Sequence, residues 1–295
     1  MTDFEILSPS FLRQLEMLQL RSRRRFLGTR HGGNASLKRG HGIEFADYRR
    51  YELGDDPRHI DWGVYGRTDR LFVKQFQEEQ DLTVFCLVDS TASMHYPVVD
   101  QKFKRASELA LGMLYIALSQ HERVHLTVPG HIALGPSIGP AFIHSLANAL
   151  AESPEVMPEL HAAGIEQFLM QIQYPGVCIY ISDFCSPLEE IQRQLELLYT
   201  HNLDVILFRV TGEHDENPSL SSSRAIFVDS ETNQELNLEW SPSMLREYRF
   251  RYQEHEQHIR KLVTKYQMRY FVLASATSVL DFFCHELPNA GVLRT

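Results

Sequence analysis

The sequence predicts an α/β fold with a doubly wound, mostly parallel sheet, and three observations carry that reading. Near-continuous apolar runs of strand length recur at Leu82–Val88, Arg123–Val128, Gly176–Ser182, Asp204–Val210 and Arg269–Ala274. Such runs suit strands covered on both faces, as in parallel sheets. Stretches with helical periodicity separate them, which is the alternation of βα units. Two of the runs end in aspartate, giving Val88-Asp89-Ser90-Thr91-Ala92-Ser93 and Ile181-Ser182-Asp183-Phe184. Open α/β sheets bind ligands beyond the carboxyl ends of their strands, where the strand order reverses.

Taken in order, residues 8–25 read as a helix that Ser8 or Ser10 caps, with Phe11, Leu15, Leu18 and Leu20 as its apolar stripe. Gly28–Gly42 is rich in Gly, His and basic residues and reads as a loop. Ile43–Gln77 is turn-rich with a β-like piece at Leu71–Phe76, and Gly54-Asp55-Asp56-Pro57 marks a turn. A long helix is expected from Lys102 to Gln120, because Ala106, Leu109, Ala110, Met113, Leu114, Ala117 and Leu118 form one face. Further helices are expected near 140–151, 164–173, 187–200 and 243–266, and a hairpin over Ala225–Leu238 with its turn at Glu231–Asn233. Two domains follow from this division: residues 1–80 as a basic helix and irregular β extension, and residues 81–295 as the α/β core.

Composition narrows the function classes. The chain has 295 residues and a formal charge of −9, with 43% hydrophobic and 23% charged residues, which is ordinary for a globular protein. The charge is uneven. Residues 1–80 hold 14 basic and 12 acidic side chains, and residues 81–295 hold 15 and 26. Met17–Ile43 carries Arg21, Arg23, Arg24, Arg25, Arg30, Lys38 and Arg39 and no acid, which reads as a solvated helix end or as an interaction patch for an acidic protein surface. No aromatic-interleaved reading motif accompanies these charges, so nucleic acid is not the expected partner. No apolar run reaches the ~18 residues that a membrane helix needs, and the N-terminus lacks a signal-peptide layout. A cytoplasmic location is expected, with Cys86, Cys178, Cys185 and Cys284 as reduced thiols.

Asp89-x-Thr91-x-Ser93 is the most chemically suggestive constellation. One carboxylate and two hydroxyls on one loop present hard oxygen donors of the kind Mg²⁺ takes, and Asp183 adds a second carboxylate. The same residues also suit a helix N-terminus capped by Asp and hydroxyl groups. Gly135-Pro136-Ser137-Ile138-Gly139 matches the G-x-S-x-G pattern of hydrolase nucleophile elbows. However, Pro136 removes a backbone N–H beside the elbow, and only the short β-like piece Ile132–Leu134 precedes it. Asp89 stands where some phosphatases carry a nucleophile, but Thr91 occupies the place of their acid/base aspartate. His255-Glu-Gln-His258 has its histidines three apart and reads as a solvated helix face.

Between residues 44 and 67 lies a dense signature of Glu44, Phe45, Asp47, Arg49, Tyr51, Gly54, Asp55, Asp56, Arg58, Ile60, Asp61, Trp62 and Arg67. Followed by a strand into D-x-T-x-S-M, it resembles the bacterial domain of unknown function 58 family. Members of that family resemble von Willebrand factor A (vWA) domains, Rossmann-like sheets with a metal-ion-dependent adhesion site. The resemblance covers roughly residues 35–185. It implies a non-enzymatic adaptor working with a MoxR-type AAA+ ATPase in the assembly or activation of a client protein. It also implies Mg²⁺, with Mn²⁺ or Ca²⁺ in its place, on Asp89, Thr91, Ser93 and Asp183. The family's further Thr ligand has no counterpart around Leu160–Ile165, and Ser137 is a weak substitute. Two other readings stand beside this one: a hydrolase or phosphatase using Ser137 or Asp89, and a structural scaffold with a degenerate metal site.

Overall fold

Every residue of the strand Thr83–Val88 is buried, and its side chains divide strictly by parity. Val84, Cys86 and Val88 enter one apolar cluster, while Phe85 and Leu87 enter another. This alternation is the period of a strand covered by helices on both faces. The computed structural model describes residues 4–23, 44–52, 54–77, 82–152, 162–172, 175–216, 218, 224–228, 235–239 and 241–294.

In chain order the strands are β1 (Gln19–Leu20), β2 (Glu44–Arg50), β3 (Phe72–Gln77), β4 (Thr83–Val88), β5 (Arg123–Val128), β6 (Ile132–Ser137), β7 (Val177–Ser182), β8 (Asp204–Thr211), β9 (Arg224–Val228), β10 (Glu235–Glu239), β11 (Arg269–Ala274) and β12 (Leu293–Arg294). The helices used below are α1 (Pro9–Leu15), α2 (Trp62–Thr68), α3 (Ala92–His95), α4 (Lys102–Ser119), α5 (Ile143–Ala151), α6 (Ala162–Met170), α7 (Leu188–Thr200), α8 (Glu213–Glu216) and α9 (Pro242–Lys265).

Six strands form the main sheet in the order β11-β8-β7-β4-β5-β6. All neighbours are parallel except β6, which returns antiparallel along β5. The expected doubly wound, mostly parallel sheet is therefore present, with one antiparallel edge where the sequence showed only a short β-like piece. The order reverses between β4 and β7, so the crevice at their carboxyl ends is the switch point. One face packs α4 and α5, through Leu109, Met113 and Leu146. The other packs α6, α7 and α9, through Phe168, Leu195 and Ile259. The hairpin β9–β10 pairs antiparallel as expected, and its Glu231–Asn233 turn lies outside the described residues.

Two sequence expectations change. Residues 8–25 do not form one helix: α1 stops at Leu15, and Gln19–Leu20 instead pairs antiparallel with Leu293–Arg294. The boundary at residue 80 also moves for its first part. The described residues before Arg24 group with the α/β unit, and residues 25–81 form the second unit. The physical reason is α4. Its residues Ala106–Leu118 are buried all round rather than on one stripe, because N-terminal and C-terminal segments cover its outer side. At Gly112 a Cβ would stand 2.4 Å from the Phe283 ring and 2.7 Å from Ile6, so only glycine permits this approach.

Cys86 and Cys178 are buried thiols in the sheet, and all four cysteines are free. Among the described residues no helix is long and apolar enough to cross a membrane.

Within the second unit, β2 and β3 pair antiparallel with a register shift between Phe45 and Asp47. The acids of the signature serve the local backbone. Asp55 accepts from the Arg49 guanidinium at 2.7 Å and from the Glu52 N–H at 2.9 Å. Asp56 caps the following 3₁₀ turn, accepting from the Arg58 N–H at 3.0 Å, and its carboxylate also holds the Arg58 side chain. Asp61 caps α2 by accepting from Gly63 and Val64 N–H, and its other oxygen accepts from the Tyr48 hydroxyl at 3.0 Å. Gly54 sits at φ +113°, which only glycine adopts readily.

Candidate functional site

The site is built where β4 and β7 end side by side. The Asp89 N–H extends the ladder one step past β4, donating to the Ile181 carbonyl at 2.9 Å. Both Asp89 oxygens are then engaged: Oδ1 accepts from the Thr91 N–H at 2.8 Å, and Oδ2 accepts from the Ser182 hydroxyl at 2.6 Å. The first of these is an Asx turn that sends the chain into α3. The Thr91 and Ser93 hydroxyls lie 3.1 Å apart, and the Ser93 hydroxyl donates to Asp183 Oδ1 at 3.2 Å. The four residues singled out in the sequence are therefore one hydrogen-bonded group. Asp89, Thr91 and Asp183 are each buried. Burial and the Asp183 charge push the Asp89 carboxyl up to about 6, against hydrogen bonds from Ser182 and Thr91 that favour its ionised form.

The other oxygen of Asp183 carries the residue that sequence reasoning missed. Lys102 Nζ donates to Asp183 Oδ2 at 3.0 Å and to the two oxygens of Asp215 at 3.1 and 3.2 Å. The Lys102 side chain is 2% exposed. Lysine is almost never buried unless paired. A signal was present in the sequence: Lys102 stands four residues before Ala106, on the apolar face of α4. A lysine at the first turn also opposes the helix dipole, so it needs anions to hold it there.

Further groups fix the strand ends. Arg209 of β8 donates to the Asp183 carbonyl at 3.1 Å and pairs with Glu256 of α9. Phe184 adopts φ +52°; its N–H donates to the Ser182 hydroxyl at 2.9 Å and its carbonyl accepts from His255 Nε2 at 2.8 Å. His255 thus faces the site, while the expectation for the His255/His258 pair was a solvated face. Tyr248 of α9 donates to the Asp215 carbonyl at 2.6 Å.

Other expected residues lie elsewhere. Ser137 pairs with Val124 near the start of β5, and Val124 lies beside Val84, five residues before Asp89. At ~3.3 Å per strand residue this puts Ser137 about 16 Å down the sheet, on the opposite edge. It therefore cannot stand in for the missing hydroxyl ligand. It lies in an edge strand and not on a strand-to-helix turn, so the nucleophile-elbow context is absent too. The signature residues from Glu44 to Arg67 belong to the second unit. Of the basic stretch, Arg21 and Arg23 are exposed, and Arg24, Arg25, Arg30, Lys38 and Arg39 fall outside the described residues.

The divalent ion that the resemblance implies needs an open set of oxygen donors at this site. Two hydroxyls and one Asp183 oxygen converge, but the same carboxylate is already neutralised by the Lys102 ammonium. Among the described residues no cluster of three or more His, Cys, Asp and Glu side chains is placed to hold a metal. Mg²⁺ demands near-octahedral oxygen ligands, with carboxylates as its charged ones. With Lys102 in place, these residues do not fit that ion.

A family profile described as "Protein of unknown function DUF58" matches residues 47–262, more than half of the chain. The chain belongs to the DUF58 family. Relatives of this DUF58 protein include the uncharacterized proteins Rv1480 of Mycobacterium tuberculosis and Mb1516 of Mycobacterium bovis. Each is 25% identical over 191 residues, covering 62% of this chain and 60% of the relative. The chain therefore spans less than two thirds of those proteins' length. Similar solved structures include BatB from Bacteroides thetaiotaomicron, at 11% identity and TM-score 0.42, covering 71% of this chain and 98% of that one. The SpRpn10 VWA domain is similar at 10% identity and TM-score 0.43, with coverage of 71% and 96%. An aerotolerance-related membrane protein from Bacteroides fragilis follows at 15% identity and TM-score 0.38, with coverage of 61% and 99%.

Proposed function

We propose that this DUF58 protein is a non-enzymatic, cytoplasmic protein-interaction module whose partner docks on the carboxyl edge of the sheet. One observation carries the reading. The fixed polar group at the β4/β7 switch point is bordered by an apolar loop held in solvent: Tyr96, Val98 and Val99 are 52%, 70% and 69% exposed. Exposed apolar side chains on a loop anchored from beneath by a buried, satisfied polar group have the anatomy of an interface core. The family resemblance supplies the finer identity: a MoxR-type AAA+ ATPase as partner, acting on a client protein during its assembly or activation.

The test is a pull-down of a MoxR-type AAA+ ATPase from the same organism, comparing wild type with a Val98→Glu/Val99→Glu variant. Surface changes of this kind cost the fold within about 0.5 kcal/mol. Binding should weaken by about 30-fold or more, equivalent to about 2 kcal/mol, because the two introduced carboxylates would enter the interface core unpaired. Equal capture of ATPase by a folded variant overturns the assignment of this edge.

A further inference from the structure

We propose that the Lys102 ammonium is the resident cation of the Asp89–Thr91–Ser93–Asp183 site, taking the place that the family resemblance gives to a divalent metal ion. Four observations on this chain meet in that assignment. Asp89, Asp183 and Asp215 bring three carboxylates to one connected group, through Ser93 and Lys102, and Lys102 is the one ammonium donating into it among the described contacts. The oxygen that it holds belongs to Asp183, the carboxylate that would otherwise face a metal. Its side chain is 2% exposed, so its position is built into the core and is not a chance surface contact. It occupies the first position of an 18-residue helix, where the dipole alone disfavours a cation.

The chemistry is self-consistent. Two carboxylates, Asp183 at 3.0 Å and Asp215 at 3.1 and 3.2 Å, face the Lys102 ammonium and favour its charged form. A fixed ammonium also differs from an ion in function. It does not exchange, and it is fully coordinated by the protein's own oxygens, so no open coordination position is left for a partner carboxylate. Thr91 and Ser93 become hydrogen-bonding and capping groups, and the carboxyl edge stays organised without added metal. Removing the ammonium reverses the balance: it leaves uncompensated carboxylates beside two hydroxyls, which is the donor set that Mg²⁺ or Mn²⁺ takes.

The proposal does not rest on the identity of the partner, and its test reads metal binding on the isolated full-length chain. Mn²⁺ uptake is followed by electron paramagnetic resonance, and thermal unfolding is followed with Mn²⁺ and with chelator. Wild type and Lys102→Arg are expected to leave the ion free at millimolar concentration and to unfold at the same temperature in both conditions. Lys102→Met is expected to bind Mn²⁺ at least about tenfold more tightly than wild type, which is 1.4 kcal/mol. That gain should vanish in Lys102→Met/Asp183→Asn. If Lys102→Met is too unstable to study alone, recovery of its unfolding temperature by Mn²⁺ is the readout. Two results overturn the proposal: submillimolar Mn²⁺ binding by wild type that Asp183→Asn removes, or a Lys102→Met protein that neither binds Mn²⁺ nor is stabilised by it. Loss of ATPase capture in the Val98→Glu/Val99→Glu variant bears on the docking edge and leaves this outcome untouched.

Discussion

Asp204 offers the sharpest test of how the N-terminal segment is attached. It opens β8 at the amino edge of the sheet, and a single oxygen, Oδ2, accepts three hydrogen bonds. The donors are the Ser22 hydroxyl at 2.8 Å, the Arg23 N–H at 2.7 Å and the Arg269 guanidinium at 2.8 Å. The pair is buried, with 2% of the Arg269 side chain and 8% of the Asp204 side chain exposed. Asp204→Ala strands a buried guanidinium, which costs about 3–5 kcal/mol. The two lost bonds to Ser22 and Arg23 add about 0.5–1 kcal/mol each, since water replaces the acceptor at their partly exposed positions. The expected loss is thus about 4–7 kcal/mol, a large share of the ~5–15 kcal/mol that holds a typical protein folded. Asp204→Asn keeps one acceptor oxygen and should lose about half as much. Urea unfolding monitored by circular dichroism measures both. Hydrogen exchange at the Arg21 amide, which donates to the Val292 carbonyl at 2.8 Å, should lose protection in step. A loss within about 1 kcal/mol for Asp204→Ala would refute the argument that this carboxylate clips the chain onto the sheet.

Three further outcomes are expected. The hydrogen bond to Asp100 raises the His214 pKa above its ordinary value of 6.5; that contact contributes fully below this pH and is lost as pH rises through the folded-state pKa. An NMR titration should show the raised midpoint, and Asp100→Asn should bring it down. Gly212→Ala places a methyl 2.0 Å from Asp100 Oδ2 and should cost about 1–3 kcal/mol by overpacking, read as a lower urea midpoint. An active-site serine probe should leave Ser137 unmodified in the native protein; mass-spectrometric detection of probe on Ser137 would restore the hydrolase reading.

Much of the fold was legible because its determinants are local. Apolar runs of strand length and the helical stripes between them follow from side-chain periodicity, and five of the six strands of the main sheet come directly from it. The sixth, β6, was legible only at Ile132–Leu134, because Gly135 and Pro136 interrupt its pattern while β5 still pairs with it. Asp89, Thr91 and Ser93 were legible as a group because they share one loop. Asp183 was found only as a second aspartate-tipped strand.

What the sequence by itself determined is the alternating αβ order, the aspartates at two strand ends and the long signature of residues 44–67. Each depends on neighbours within a few positions, and the caps made by Asp56 and Asp61 show how local those neighbours are. The tertiary structure decided the rest. It placed Asp89 beside Asp183 at the switch point, since strand order is a long-range property. It wrapped α4 on its outer side and so drew the N-terminal segment into the α/β unit. It also turned Lys102 inward onto two carboxylates 81 and 113 residues away in sequence. Burial of a charge is favourable only where opposite charges converge, and convergence from three strand ends exists only after the sheet has formed.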